Sequence, residues 1–133
     1  MNQLSFNTFN ESPWLGGSGH LGAWVEDTAS AGFALLGPDC PSIEAWLAAG
    51  NGLKALARQM KDAGIGCEVV SVCALLDGSA EQLAALRRAA NHADALGVKI
   101  LQVNVNAPDV QTRLNCVADA ARHIEGRGLK LAI

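Results

Sequence analysis

The sequence predicts an α/β chain of repeating strand–helix units, a partial (βα) barrel of about four units followed by a fifth strand. Three observations carry that expectation. Helical stretches ending at a glycine are followed by short apolar runs, four times along the chain. The runs recur about every thirty residues, the size of a strand plus the helix that carries the chain to a parallel neighbour. One strand alternates amides with apolar side chains, Leu101, Val103 and Val105 against Gln102, Asn104 and Asn106.

The elements follow in order. Leu4 to Phe9 is the first strand candidate, and the glycine-rich residues 10–22 form a loop leading to a helix at about Leu21 to Ala31. Ala31-Gly32 ends that helix and Phe33 to Leu36 forms strand two. Pro41 and Ser42 open a second helix, interrupted at Gly50-Asn51-Gly52 and resumed at Leu53. Ala63-Gly64 precedes strand three, Cys67 to Val72. Ser79 is placed to cap the next helix, with Gln82 completing a capping box, and Leu83, Leu86, Ala90, Ala93 and Leu96 mark its buried stripe. Leu96-Gly97 leads into strand four, Val98 to Val103, and Asp109 caps the helix after it. Gly126-Arg127-Gly128 introduces strand five, Leu129 to Ile133. Two architectures accommodate this order, an open doubly wound sheet and a segment of a TIM-type barrel. The amide face of strand four favours the barrel, because a sheet covered on both sides would bury those amides at about 1–3 kcal/mol for each one left unpaired.

Composition narrows the function. The chain has 133 residues, read as one domain (1–133), and half of them are hydrophobic. A net charge of −3 with interspersed signs offers no basic face for nucleic acid and no polybasic patch for a membrane. No apolar stretch approaches a spanning length, and Met1-Asn2-Gln3-Leu4 does not read as a leader, so the expected compartment is the cytoplasm. Cys40, Cys67, Cys73 and Cys116 form no C-x-x-C pair and read as reduced, semi-buried thiols.

Both architectures put ligands at the C-terminal ends of parallel strands. Those ends offer Asn7, Asn10, Glu11 and Trp14 after strand one, then Gly37, Pro38 and Asp39 after strand two. Cys73 and Asp77 follow strand three, and Asn104 and Asn106 belong to strand four. Amides with one or two carboxylates suit a polyhydroxylated ligand, since each hydroxyl both donates and accepts. Asn, Asp and Gly also cap and turn loops, so the group carries more weight than any member. The loop Leu15 to His20 lacks the G-x-G-x-x-G and P-loop patterns and reads as a lid or a linker. His20 is a lone loop histidine, while His92 and His123 fall on helices, on or near outer faces. No H-x-x-x-H or similar metal-binding spacing occurs.

The run Leu4-Ser5-Phe6-Asn7-Thr8-Phe9-Asn10 resembles the first strand of the xylose isomerase-like TIM barrels, the sugar phosphate isomerase/epimerase group. Ala31-Gly32-Phe33, Leu53 to Gly64 with its following strand, and Ala93-Asp94-Ala95-Leu96-Gly97-Val98 extend the resemblance over essentially the whole chain. It implies a barrel acting on a sugar or sugar phosphate by metal-assisted proton transfer next to a carbonyl. It also implies that the divalent-metal ligands belong to strands five to eight, beyond Ile133. The chain then matches the family's N-terminal half, inactive as 133 residues and holding no metal itself. The residues left to shape the substrate mouth are Asn7, Asp39, Asn104 and Asn106. Cys73, Asn104 and Asn106 stand where the endonuclease IV branch places histidines, which argues against a DNA-repair zinc site. Two non-catalytic alternatives stay open. One is a half-barrel that pairs with a second copy through the exposed edges of strands one and five. The other is a flavodoxin-like open sheet serving as a binding module.

Overall fold

In the computed structural model, which describes residues 4–133, a short strand β1 (Ser5–Asn7) opens the chain. Met1 to Gln3, part of the run read for a leader, lie outside the described residues. The strand stops two residues short of the expected Phe9. Asn7 Oδ1 accepts the Phe9 N–H at 2.9 Å, which turns the chain into tight 3-10 turns at Thr8–Glu11 and Pro13–Leu15. Helix α1 (Leu21–Ser30) buries Leu21, Val25 and Thr28, and strand β2 (Leu35–Gly37) follows.

The expected interrupted helix is two helices, α2 (Cys40–Ala48) and α3 (Leu53–Asp62), broken where Gly50 takes a φ of 85°. Strand β3 (Val69–Leu76) is longer than expected, because a bulge between Ser71 and Leu75 lets it continue past Val72. Ser79 Oγ caps α4 (Ala80–Leu96) by accepting the Gln82 N–H at 3.3 Å. Only that half of the capping box forms: the Ser79 N–H donates instead to Asp77 Oδ1 at 2.8 Å, and Gln82 Oε1 is buried without a partner among the described residues. Strand β4 (Ile100–Val105) leads to α5 (Val110–His123), capped as expected by Asp109, and the chain ends in β5 (Lys130–Ala132). The Thr112 hydroxyl and N–H bonded to Asp109 hold its carboxyl below the usual carboxylate range.

All strand pairings are parallel. Asn7 lies opposite Gly37, Ser71 opposite Gln102, and Gln102 opposite Ala132. Single bridges, Leu35 with Gly66 and Asp39 with Ser71, join the β1–β2 pair to the β3–β4–β5 sheet. Spatial order therefore follows chain order, 1-2-3-4-5. A flavodoxin-like sheet would place β1 between β2 and β3. Neighbour order thus removes the open-sheet alternative.

Burial separates the two faces. Leu36, Val70, Val72, Leu101 and Val103, which point toward the helices, are at most 2% exposed. They pack with Val25, Ile43, Leu56 and Leu86, and with Ala89, Ala90 and Ala93, whose small side chains bring α4 close to the sheet. Each fully buried Leu or Val contributes about 1.5–3 kcal/mol from its removal from water. On the opposite face Ser71 is buried, Val69, Ile100 and Gln102 are half-buried, and Asn104, Lys130 and Ala132 are exposed. A doubly wound sheet would cover both faces. One covered and one uncovered face, with strands in sequential parallel order, is a segment of a (βα) barrel seen from its lumen.

Candidate functional site

The lumen face carries a hydrogen-bonded amide cluster drawn from three strands. Asn7 Nδ2 donates to Ser71 Oγ and to Gln102 Oε1, both at 3.1 Å. Ser71 Oγ lies 3.1 Å from Gln102 Oε1 and 3.4 Å from Asn7 Oδ1. Gly37 stands opposite Asn7, where a Cβ would come within 2.9 Å of Val69 Cγ1 and 3.6 Å of Asn7 Nδ2. The absent side chain makes room for the cluster.

The four expected mouth residues fall in different places. Asn7 is half-buried and anchors the cluster. Asn104, two residues beyond Gln102 on the same face, is exposed, and its side chain makes no hydrogen bond among the described residues. Asn106 lies just past β4, exposed, with its N–H donated to Leu76 O at 3.0 Å. Asp39 is different: it is fully buried and presents no free carboxylate to the mouth. Its Oδ1 accepts from Ser12 Oγ at 2.6 Å and the Ser42 N–H at 3.0 Å, and its Oδ2 from Ser42 Oγ at 2.6 Å and from Thr8 Oγ1. Its own N–H donates to Thr8 Oγ1 at 2.9 Å. Asp39 thus ties the loop after β1 to the start of α2, and holds the mouth together rather than reaching into it.

The remaining candidates separate similarly. Gly17 is packed against Glu11, whose carbonyl oxygen would lie 2.0 Å from an added Cβ, and the Gly17 N–H donates to Ser12 O at 2.9 Å. That part of the loop is a held turn. Trp14 packs against Phe9 in a tilted pair with ring centroids 5.6 Å apart, and His20 is exposed at the start of α1 without capping it. Asp77 is spent on the α4 cap. Cys73 sits in the β3 bulge at φ 53°, strained for a non-glycine residue. It lines a cavity of about 260 Å³ with Trp14, Cys40, Glu44, Gln82 and Arg88, between the starts of α2 and α4. Burial pushes the Cys73 thiol up to about 12, helped by the negative charge of Asp39. Burial does the same to Cys67, also to about 12, and raises Cys40 as well. All four cysteines are free, as their spacing suggests. His92 is half-buried rather than near an outer face. Its Nε2 is buried without a partner among the described residues, and burial lowers its basicity. His123 pairs with Arg87 and with Asp119 O.

Sequence reasoning noted Gln102 only as part of a polar face and did not mark Ser71. The serine lies inside an apolar run, and its one signal is that it shares strand parity with Val69, which places it on the lumen side. Thr8, Ser12 and Ser42, the partners of Asp39, gave no separable signal among ordinary loop hydroxyls.

Among the described residues no three His, Cys, Asp or Glu side chains converge on a point that could hold a metal ion. No helix among them is long and apolar enough to cross a membrane.

No family model matches the chain, and no curated protein matches it in sequence. Solved structures match its fold. The IolI protein with a bound zinc atom superposes with a TM-score of 0.76 at 15% identity, over 98% of this chain and 50% of that one. The probable 3-DHS dehydratase AsbF of petrobactin synthesis, from Bacillus anthracis, gives 0.77 at 11% identity, over 99% and 52%. A D-psicose 3-epimerase determined in the presence of D-fructose gives 0.70 at 15% identity, again over 99% and 52%. The chain thus spans about half the length of these structures, and its fold is that of the N-terminal half of a xylose isomerase-like TIM barrel.

Proposed function

We infer that the chain is the ligand-recognising half of a (βα)8 barrel that acts on a sugar or sugar phosphate as an isomerase or epimerase. The observation that carries the reading is the uncovered lumen face, on which Asn7, Ser71 and Gln102 form one hydrogen-bonded cluster with Asn104 exposed beside it. Amides and a hydroxyl can each match the donor and acceptor of a polyol hydroxyl. The fold likeness to a D-psicose 3-epimerase supports a ketose in particular.

Within this reading Asn104 and Asn106 contact the ligand, Asn7, whose amide is engaged by Phe9, Ser71 and Gln102, positions Gln102, and Asp39 steadies Asn7 by clamping the loop after β1. The resemblance assigns the whole barrel proton transfer beside a carbonyl, with a divalent metal to polarise the oxygens. The described residues do not fit that metal, since no three suitable side chains converge. No step is therefore assigned to a metal on these residues, and the chain alone is expected to bind without turnover. Backbone chemical-shift mapping with D-fructose and with a ketose phosphate tests the reading. Saturable shifts confined to the ends of β1, β2 and β4 are expected. Shifts confined to the outer helices, or turnover by the chain itself, would overturn it.

A second reading, self-association of half-barrels, has its own observation. The β1 edge carries an apolar groove of about 280 Å³ formed by Phe6, Trp24 and Phe33. The β5 edge carries another of about 600 Å³, with Val117, Leu129 and Leu131. Among the described residues neither edge strand has a second neighbour. Unpaired parallel edges with apolar flanks favour pairing with another chain.

A further inference from the structure

Gln102 carries an amide whose orientation is dictated by its neighbours. The Phe9 N–H donates to Asn7 Oδ1, so the other end of the Asn7 amide, Nδ2, is the donor. Asn7 Nδ2 lies 3.1 Å from the Gln102 amide, and the atom facing it therefore has to be the acceptor, Oε1. Ser71 Oγ also lies 3.1 Å from that oxygen and can donate to it. Exchanging the two ends of the Gln102 amide would set donor against donor. Both hydrogens of Asn7 Nδ2 are then used, one on Ser71 and one on Gln102. Gln102 Nε2 is the exception. It makes no hydrogen bond among the described residues, and Gln102 is half-buried on the uncovered face, beside the exposed Asn104.

We propose that Gln102 Nε2 is a ligand subsite on the lumen face that donates to an acceptor oxygen, a carbonyl or hydroxyl of the bound sugar. The proposal rests on the sugar reading above and deepens it. The group is held by two neighbours before any ligand arrives, so little rotamer freedom is lost on binding. It offers hydrogens only and cannot invert, because inversion would break its bond from Asn7. It therefore selects an acceptor oxygen and disfavours an ammonium or another donor at the same point. Asn104, exposed two residues along the same strand face, supplies a second contact that can either donate or accept.

Side-chain amide resonances of the 15N-labelled full chain test this directly. Without ligand, the Asn7 Nδ2 hydrogens should exchange slowly with water and the Gln102 Nε2 hydrogens rapidly. Titration with D-fructose should move the Gln102 pair saturably. Gln102→Glu replaces the donor with an acceptor oxygen in the same shape, and should weaken D-fructose binding at least about tenfold while the Asn7 pair stays protected. Equal protection of the Gln102 and Asn7 pairs in the free chain would overturn the proposal. D-fructose that moves Asn104 and Asn106 but leaves Gln102 unmoved would overturn it and leave the sugar reading standing. A titration that moves no strand-end resonance would overturn both.

Discussion

Asp39 shows how much a single carboxylate can organise. Four donors converge on it, three of them hydroxyls from Thr8, Ser12 and Ser42 that are themselves fully buried. Removing it strands those hydroxyls and uncaps α2. Asp39→Ala is therefore expected to cost about 3 kcal/mol in urea denaturation. A loss under about 1 kcal/mol would mean that water replaces the clamp. The thiols give a second residue-scale expectation. With Cys67 and Cys73 pushed from 9.0 up to about 12, the folded chain holds those protons while the unfolded chain releases them near 9.0. Stability should fall as pH rises through that window. At pH 8 the thiolate fraction is lower by about a thousandfold than in the unfolded chain, so alkylation of both thiols should be correspondingly slow until the chain opens. His92 acts at the other end of the scale. Its basicity is lowered by burial, so the unfolded chain takes up a proton first and stability should also fall as pH drops below 6.5.

At the scale of elements, alternation along β4 was the most legible feature and proved the most informative. Leu101 and Val103 face the helices and Ile100, Gln102 and Asn104 the lumen, as the spacing of amides and aliphatics indicated. Leu101→Ala should then cost about 3 kcal/mol, and Ile100→Ala, on the uncovered face of the same strand, under about 1.5 kcal/mol. Equal costs would mean that both faces are covered. Element ends were less legible. β1 stops at Asn7 because a side-chain oxygen captures the Phe9 N–H, and β3 runs on because a bulge absorbs the break in its ladder. Neither event leaves a mark on hydrophobic periodicity. The glycine loop was legible as a loop but not as a packed one, since the Glu11 carbonyl that excludes a Cβ at Gly17 is visible only in three dimensions. Gly17→Ala should destabilise the chain by about 2 kcal/mol in thermal or urea denaturation, and a neutral effect would restore the idea of a mobile lid.

At the scale of the molecule, the alternation of strands and helices was legible from the period, while the spatial order of the strands and the side-chain cluster were not. A repeat of about thirty residues specifies parallel neighbours joined by helices, and polar alternation specifies which face stays wet. Joining Asn7, Ser71 and Gln102 requires the register between strands 31 to 95 residues apart in sequence, which a single sequence does not carry. The two apolar edge grooves belong to this scale too. If they mediate self-association, light scattering after size exclusion should give a dimer mass, and a stable monomer would exclude that second reading.

The central claim is a sheet in sequential parallel order with one face uncovered. Inter-strand NOEs in the isotope-labelled chain test it most directly. Backbone contacts between β2 and β3 are expected, with Leu35 near Gly66 and Pro38 near Ser71, together with side-chain contacts linking Asn7 to Gln102 across the lumen. Direct backbone pairing of β1 with β3, with helix contacts to Val69 and Ile100, would contradict it and return the chain to an open doubly wound sheet.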